Sequence, residues 1–104
     1  MIRLAVMYPN LNEERFDFDY YQQTHLPLVT QLYKPHGLES IDLDIALTKS
    51  GKNAAPYLAI AYLTFTDQPS FLNAIKASGK EVGADIINFT SIEPIIQLSE
   101  AITC

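Results

Sequence analysis

Residues 41–65 read IDLDIALTKSGKNAAPYLAIAYLTF, and this stretch decides the fold. Ile41, Leu43, Ile45 and Leu47 alternate with Asp42, Asp44 and Ala46, the period of two expected for a strand with one polar face. Residues 49–56, KSGKNAAP, form a loop. Tyr57 to Phe65 is a second strand, apolar on both faces apart from Thr64. Two strands follow one another here with only a loop between them, so whatever helices the chain has must lie outside this pair.

Helix signals stand on both sides. Upstream, Asp17 is an N-cap, with Phe16 before it and Tyr21 after it as a hydrophobic staple. Asp19 adds negative charge to the first turn. This helix runs to about Lys34, stopped by Pro35 and Gly37, and Pro27 predicts a kink near Gln23. Downstream, Thr66 or Asp67 caps a second helix with Pro69 in its first turn and Phe71, Ile75, Val82 and Ile86 at helical spacing. Gly79 and Gly83 weaken it and predict a division into two short pieces. At the ends of the chain, Ile2, Leu4, Val6 and Tyr8 form a strand closed by Pro9-Asn10, with a polar stretch, Leu11 to Arg15, after it. Thr90 to Glu100 forms the last strand, and Pro94 confines it to a sheet edge or a bulge. The order is β-α-β-β-α-β. Right-handed crossovers close it into an α+β, ferredoxin-like fold: a four-stranded antiparallel sheet with both helices on one face, the first and third strands central.

Residues 1–104 fit a single domain, and 48% apolar residues make it a globular one. Seven basic against twelve acidic residues leave a net charge of −5 with no Lys/Arg cluster, so no nucleic-acid or anionic-membrane partner is expected. No apolar run reaches the roughly 18 residues of a membrane span. The first ten residues lack the basic start and apolar middle of a signal peptide. A lone cysteine, Cys104, makes no internal disulfide and points to a cytoplasmic location.

The sheet face without helices should be polar in a monomer. Ala5, Met7, Ala59, Ala61, Leu63 and Phe65 are expected there instead, an apolar patch that predicts a homodimer built face to face.

On a helical wheel, Phe18, Tyr21, His25, Leu28, Val29 and Leu32 share a sector about 100° wide. His25 is central in this stripe, with Tyr21 one turn above it. Burial lowers an imidazole's pKa toward the neutral, basic form, and a neighbouring phenol equips it to take a proton from a small ligand. The same residue also reads as a core histidine satisfied by Tyr21, a carbonyl or a water. His36 belongs to the helix C-terminus. Its distance in sequence from His25, with one cysteine in the chain, gives no metal site, and nothing resembles a phosphate loop. The acidic residues 13, 14, 17 and 19 read as a solvated loop and cap. Asp85 falls at the margin of the second helix's buried face, either capping the turn near Asn88 or reaching His25 and fixing its tautomer.

Phe16-Asp17-Phe18-Asp19-Tyr20-Tyr21 followed by Thr24-His25-Leu26-Pro27-Leu28-Val29 resembles the opening signature of the EthD family. The tail Ala84-Asp85-Ile86, Asn88-Phe89-Thr90, Glu93-Pro94 and Gln97-Leu98-Ser99-Glu100 is similar to its closing signature. The resemblance spans essentially the whole chain. It implies a dimeric α/β barrel, with His25 matching the signature histidine and Asp85 the signature aspartate. The superfamily it implies includes cofactor-free monooxygenases, muconolactone isomerases, polyketide cyclases and haem-degrading enzymes, and the family's namesake belongs to an ether-degrading system built around a cytochrome P450. With no tryptophan in the chain, the antibiotic-biosynthesis type of oxygenation is disfavoured.

Two functions are therefore expected in competition. In one, the protein acts without a cofactor on a small apolar or aromatic ligand by proton transfer or oxidation, with His25 as base. Tyr21 and Asp85 assist it, and Phe18, Tyr62 and Leu28 surround the ligand. In the other, it is a non-catalytic binding accessory of an oxygenase system. Haem binding is disfavoured because nothing marks a propionate site.

Overall fold

The computed structural model of the protein describes residues 1–11 and 14–104. Among these residues, β1 (Ile2–Pro9), β2 (Leu38–Ile45), β3 (Tyr57–Phe65) and β4 (Ile95–Glu100) form one antiparallel sheet in the order β2-β3-β1-β4. Helix α1, residues 18–33, links β1 to β2, and helix α2, Gln68–Asp85, links β3 to β4. This is the expected ferredoxin-like α+β arrangement. β2 begins at Leu38, earlier than its alternation suggested, and β4 begins only after Pro94, whose missing N–H keeps it out of the ladder. The polar connector read over Leu11 to Arg15 includes Asn12 and Glu13, which lie outside the described residues, as does Glu13 of the acidic group.

The pairing register corrects one expectation. Leu4 faces Leu63, Val6 faces Ala61, Tyr8 faces Ala59 and Ile2 faces Phe65. Directly opposed residues of an antiparallel pair share a face of the sheet. Ala59, Ala61, Leu63 and Phe65 therefore lie under the helices, all buried, and not on the open face. The physical reason is that Tyr57–Phe65 is apolar on both sides, so its own alternation carries no sign, and only the partner strand fixes which side is in. The open face carries Ala5 and Met7 as expected, now joined by Tyr62 and Ile60 opposite them.

Helix α1 starts as its sequence dictates. The Asp17 carboxylate accepts from the Tyr20 backbone N–H at 3.0 Å, and Phe16 packs edge-on against Tyr21 with centroids 5.2 Å apart. Instead of a simple kink, residues Tyr21–His25 wind as a π-helical turn in which the Leu26 N–H bonds the Tyr21 carbonyl. Pro27 has no N–H for the Gln23 carbonyl and its ring crowds that oxygen, so the turn before it relaxes to a wider winding. The α-helix resumes over Leu26–Tyr33 and tightens into a 3₁₀ turn, Lys34–His36. Gly37 ends it at φ 96°, where a Cβ would also come within 2.7 Å of Ser70 Cβ.

Helix α2 is one continuous helix of 18 residues and not two pieces. Its Asp67 side chain accepts from the Ser70 N–H at 2.9 Å, and the apolar positions toward the sheet outweigh the propensity lost at its glycines. No helix among the described residues is long and apolar enough to cross a membrane.

The segment after α2 is stitched to the segment before α1. Phe16 and Thr90 form an isolated bridge, the Asp17 N–H bonds the Phe89 carbonyl, and the Thr90 hydroxyl donates to the Arg15 carbonyl. Between them Phe89, with 0% exposure, sits among the rings of Tyr8, Phe16, Tyr21 and His25 at centroid distances of 4.6 to 5.7 Å. Removing that ring opens a large void at the junction of both helices. Phe89→Ala should lower the unfolding free energy by about 3–5 kcal/mol in urea titration, against about 0.5 kcal/mol or less for Leu47→Ala in the exposed loop after β2.

Candidate functional site

Tyr21 and His25 bracket the π turn, and both point toward the sheet. Their rings stack nearly parallel, 18° apart in plane and 5.8 Å between centroids. Both residues are buried, at 1% and 4% exposure.

Asp85, the last residue of α2, meets them from the other helix. His25 Nδ1–H donates to Asp85 Oδ2 at 2.8 Å. The Tyr20 hydroxyl and the Asn88 amide donate to Asp85 Oδ1 at 2.7 and 2.9 Å. Burial alone pushes the Asp85 carboxyl up, but the hydrogen bonds from His25, Asn88 and Tyr20 outweigh it and hold the group below the ordinary carboxyl range. The bond to Asp85 raises the Tyr20 phenol, which keeps its proton. For His25 the balance runs the other way. Burial lowers its pKa more than the Asp85 bond and charge raise it, so the imidazole is neutral at neutral pH. With Nδ1 protonated toward Asp85, the lone pair sits on Nε2, which has no hydrogen-bond partner among the described residues.

The His25 ring belongs to the wall of a cavity of about 260 Å³ between the sheet and the two helices, and its Asp85 partner does not. Leu4, Val6, Ala61 and Leu63 form its floor, Tyr21, His25, Leu26 and Val29 one wall, and Gly79, Val82, Gly83 and Ile86 the other. Tyr21 lines this wall, and its hydroxyl is buried without a hydrogen-bond partner among the described residues. Burial first, and the neighbouring Tyr8 second, drive its pKa far up, so it is a permanent donor. Among the described residues no three His, Cys, Asp or Glu side chains cluster as metal ligands would.

Of the residues read as a site, His25, Tyr21 and Asp85 come together, with Asp85 behind the imidazole and outside the cavity. Three others do not reach it. Tyr62 stands on the open face of the sheet opposite Ala5, because β3 presents its odd-numbered residues inward. Leu28 is only half-buried, because the π turn advances the register after His25 and puts Leu26 on the cavity beside Val29, which the stripe already held. Phe18 packs on Phe16 at 4.6 Å, with the Lys49 ammonium 5.2 Å over its ring. The structure adds Tyr20 and Asn88, which hold Asp85. Tyr20 points away from the buried stripe on any wheel, so its role was visible only once α2 was in place.

The EthD domain profile matches residues 9–93. An EthD-like protein from Ralstonia eutropha JMP134 is 30% identical and superposes with a TM-score of 0.87, over 98% of this chain and 92% of that one. An ethyl tert-butyl ether D family protein from Bacillus halodurans C-125 is 20% identical, with a TM-score of 0.76 over 98% and 99% of the two chains. HapK from Hahella chejuensis shares the fold at 15% identity, with a TM-score of 0.62 over 100% and 95%. No curated protein matches.

The site has a pH signature. His25 in the native state binds its proton less tightly than the ordinary imidazole at 6.5, so the unfolded chain takes up protons first as pH falls. Its contribution to stability is therefore complete above 6.5 and is lost as pH drops through and below that value. Asp85, held below its ordinary 3.8, acts in the same sense at lower pH. By NMR titration, His25 should titrate below 6.5 in the wild type and lower still in Asp85→Asn, where the carboxylate charge is gone. An identical titration in both proteins would show that the pair is not formed in solution.

Proposed function

The chain belongs to the EthD family, and from that premise we propose that it binds a small neutral apolar or aromatic metabolite between its sheet and helices and moves a proton on it. One observation carries this reading: a neutral imidazole, held at Nδ1 by a carboxylate, offers Nε2 to an apolar cavity beside a phenol that lacks a partner.

The chemistry needs no further reactant. His25 Nε2 accepts the proton of an acidic C–H or O–H, and the resulting imidazolium is stabilised by Asp85. The electron pair left behind moves to a ligand oxygen, where the Tyr21 hydroxyl donates a hydrogen bond to the developing negative charge. Return of the proton from Nε2 to a different atom completes an isomerisation or tautomerisation and restores the neutral histidine. A dry 150 Å³ cavity of aliphatic and aromatic side chains is known to hold benzene, so about 260 Å³ suits one ring with substituents. An anionic ligand is disfavoured by the apolar walls and by the carboxylate behind His25.

Deuterium exchange tests this. The protein in D₂O should accelerate exchange at the acidic carbon of a small aryl ketone such as acetophenone. His25→Leu should lower that rate by about 10²–10⁴-fold. The leucine variant keeps its fold, because Asp85 retains Tyr20 and Asn88 as donors. Ligand at a hundred times its Kd adds about 2.7 kcal/mol of native stability, a clear rise in melting temperature. Binding without exchange favours the accessory role beside an oxygenase.

The same reading includes a homodimer through the open sheet face, where Ala5, Met7, Ile60 and Tyr62 form an apolar centre bordered by Asp42 and Asp44. Stable association requires roughly 1,200 Å² or more of total buried surface. Met7→Glu should shift the sedimentation coefficient to that of a monomer while Asp42→Asn leaves the dimer intact. Ala61 is no test of this interface, since it lines the cavity. A wild-type monomer at micromolar concentration rules the dimer out.

A further inference from the structure

Helix α2 carries glycines at 79 and 83, one turn apart on the wall of the cavity. Glycine is the poorest helix former after proline, because it loses the most backbone freedom on folding. The ordinary reasons for accepting that cost are missing at Gly83. Of the four glycines, only Gly37 and Gly51 have a positive φ. A Cβ built on Gly83 meets nothing within 4 Å among the described residues. On Gly79 it would meet Cγ2 of Ile75 at 3.1 Å, a half-exposed side chain able to turn aside. Neither backbone geometry nor packing calls for glycine at 83, so the missing side chain leaves space for something else.

The cavity reaches the surface at this point. Gly83, Ile86, Pro94 and Ile96 line both the inner space and a shallow outer groove between the end of α2 and the start of β4. Gly83 and Ile96 are exposed there. Independently, the Tyr21 hydroxyl is buried in the cavity wall with no partner among the described residues, which marks the space as built for a molecule carrying a hydrogen-bond acceptor. We propose that Gly83, with Gly79 beside it, forms the port through which the ligand reaches His25, and that the absent Cβ sets the width of the group that passes. This rests on the ligand reading above and adds a size limit to it: a neutral single ring with an oxygen acceptor passes wholly inside, whereas a branched substituent opposite that oxygen stays in the port when the ring is bound, in the space that a Cβ at position 83 would take.

Phenol and 4-tert-butylphenol test the port, with binding followed by NMR on the His25 ring signals in the wild type, Gly83→Ala and Gly83→Val. The wild type should bind both. Gly83→Val should lose tenfold or more in affinity for 4-tert-butylphenol and less than threefold for phenol, with the His25 titration unchanged. Gly83→Ala should melt higher without ligand, as a better helix former, and show the same discrimination in weaker form, which preserves the test if valine disturbs the helix. Unchanged affinity for both phenols in both variants overturns the port and leaves the ligand reading standing. Equal loss of both phenols overturns the size limit. A wild-type protein that binds neither phenol overturns the port and the ligand reading together.

Discussion

The Asp85 carboxylate is the tie on which the rest of the site depends. It stands at the C-terminal end of α2, where the helix dipole makes a negative charge unwelcome. Three donors from His25, Tyr20 and Asn88 offset that penalty and the loss of solvent. Two of the three lie in the first turns of α1, so the same bonds that keep the carboxylate ionised hold the two helices in register. His25 then has one tautomer, one ring orientation and one nitrogen directed at the cavity. Geometry and basicity come from a single contact, in the way an outer-shell carboxylate fixes a ligating or catalytic histidine.

What could be read in the sequence follows from how local each signal is. The Asp17 cap, the Phe16–Tyr21 staple and the stop at Gly37 are written within a few residues of where they act, and each is realised. The element order followed from the same punctuation and sufficed for the topology. The inward face of β3 was not readable in this way, because Ala59, Ala61 and Leu63 differ little in polarity from Leu58, Ile60 and Tyr62. Only pairing with β1 breaks that symmetry. The length of α2 is not legible locally for the complementary reason: two glycines lower helix propensity, but tertiary packing along the sheet-facing side decides whether the helix continues.

The π turn explains why the wheel was right about half of its stripe. Tyr21 and His25 are close enough in sequence that the wider winding still leaves them stacked on one face. Beyond Pro27 the accumulated offset moves Leu28 aside while Val29 stays on the cavity. Pro27 therefore acts at a distance of several residues. By denying Gln23 its helical partner it reshapes the turn that contains both site residues.

The cavity itself sharpens the argument for a ligand. The apolar side chains that line it forgo packing contacts and meet whatever water enters through the groove at Gly83, and both cost the empty protein stability. Substitutions that would reduce the cavity are close at hand: side chains in place of Gly79 or Gly83, or a larger residue than Ala61 on the floor. Gly83 and Ala61 would each admit one without meeting a backbone obstacle at Cβ, since the first faces open space and the second already carries that atom. Space kept at such expense, with a phenol left unpartnered on its wall, is energetically reasonable if the occupied state is the one that matters. A bound ring restores the lost contacts and gives the Tyr21 hydroxyl its acceptor, so the stability forgone in the empty protein returns as affinity.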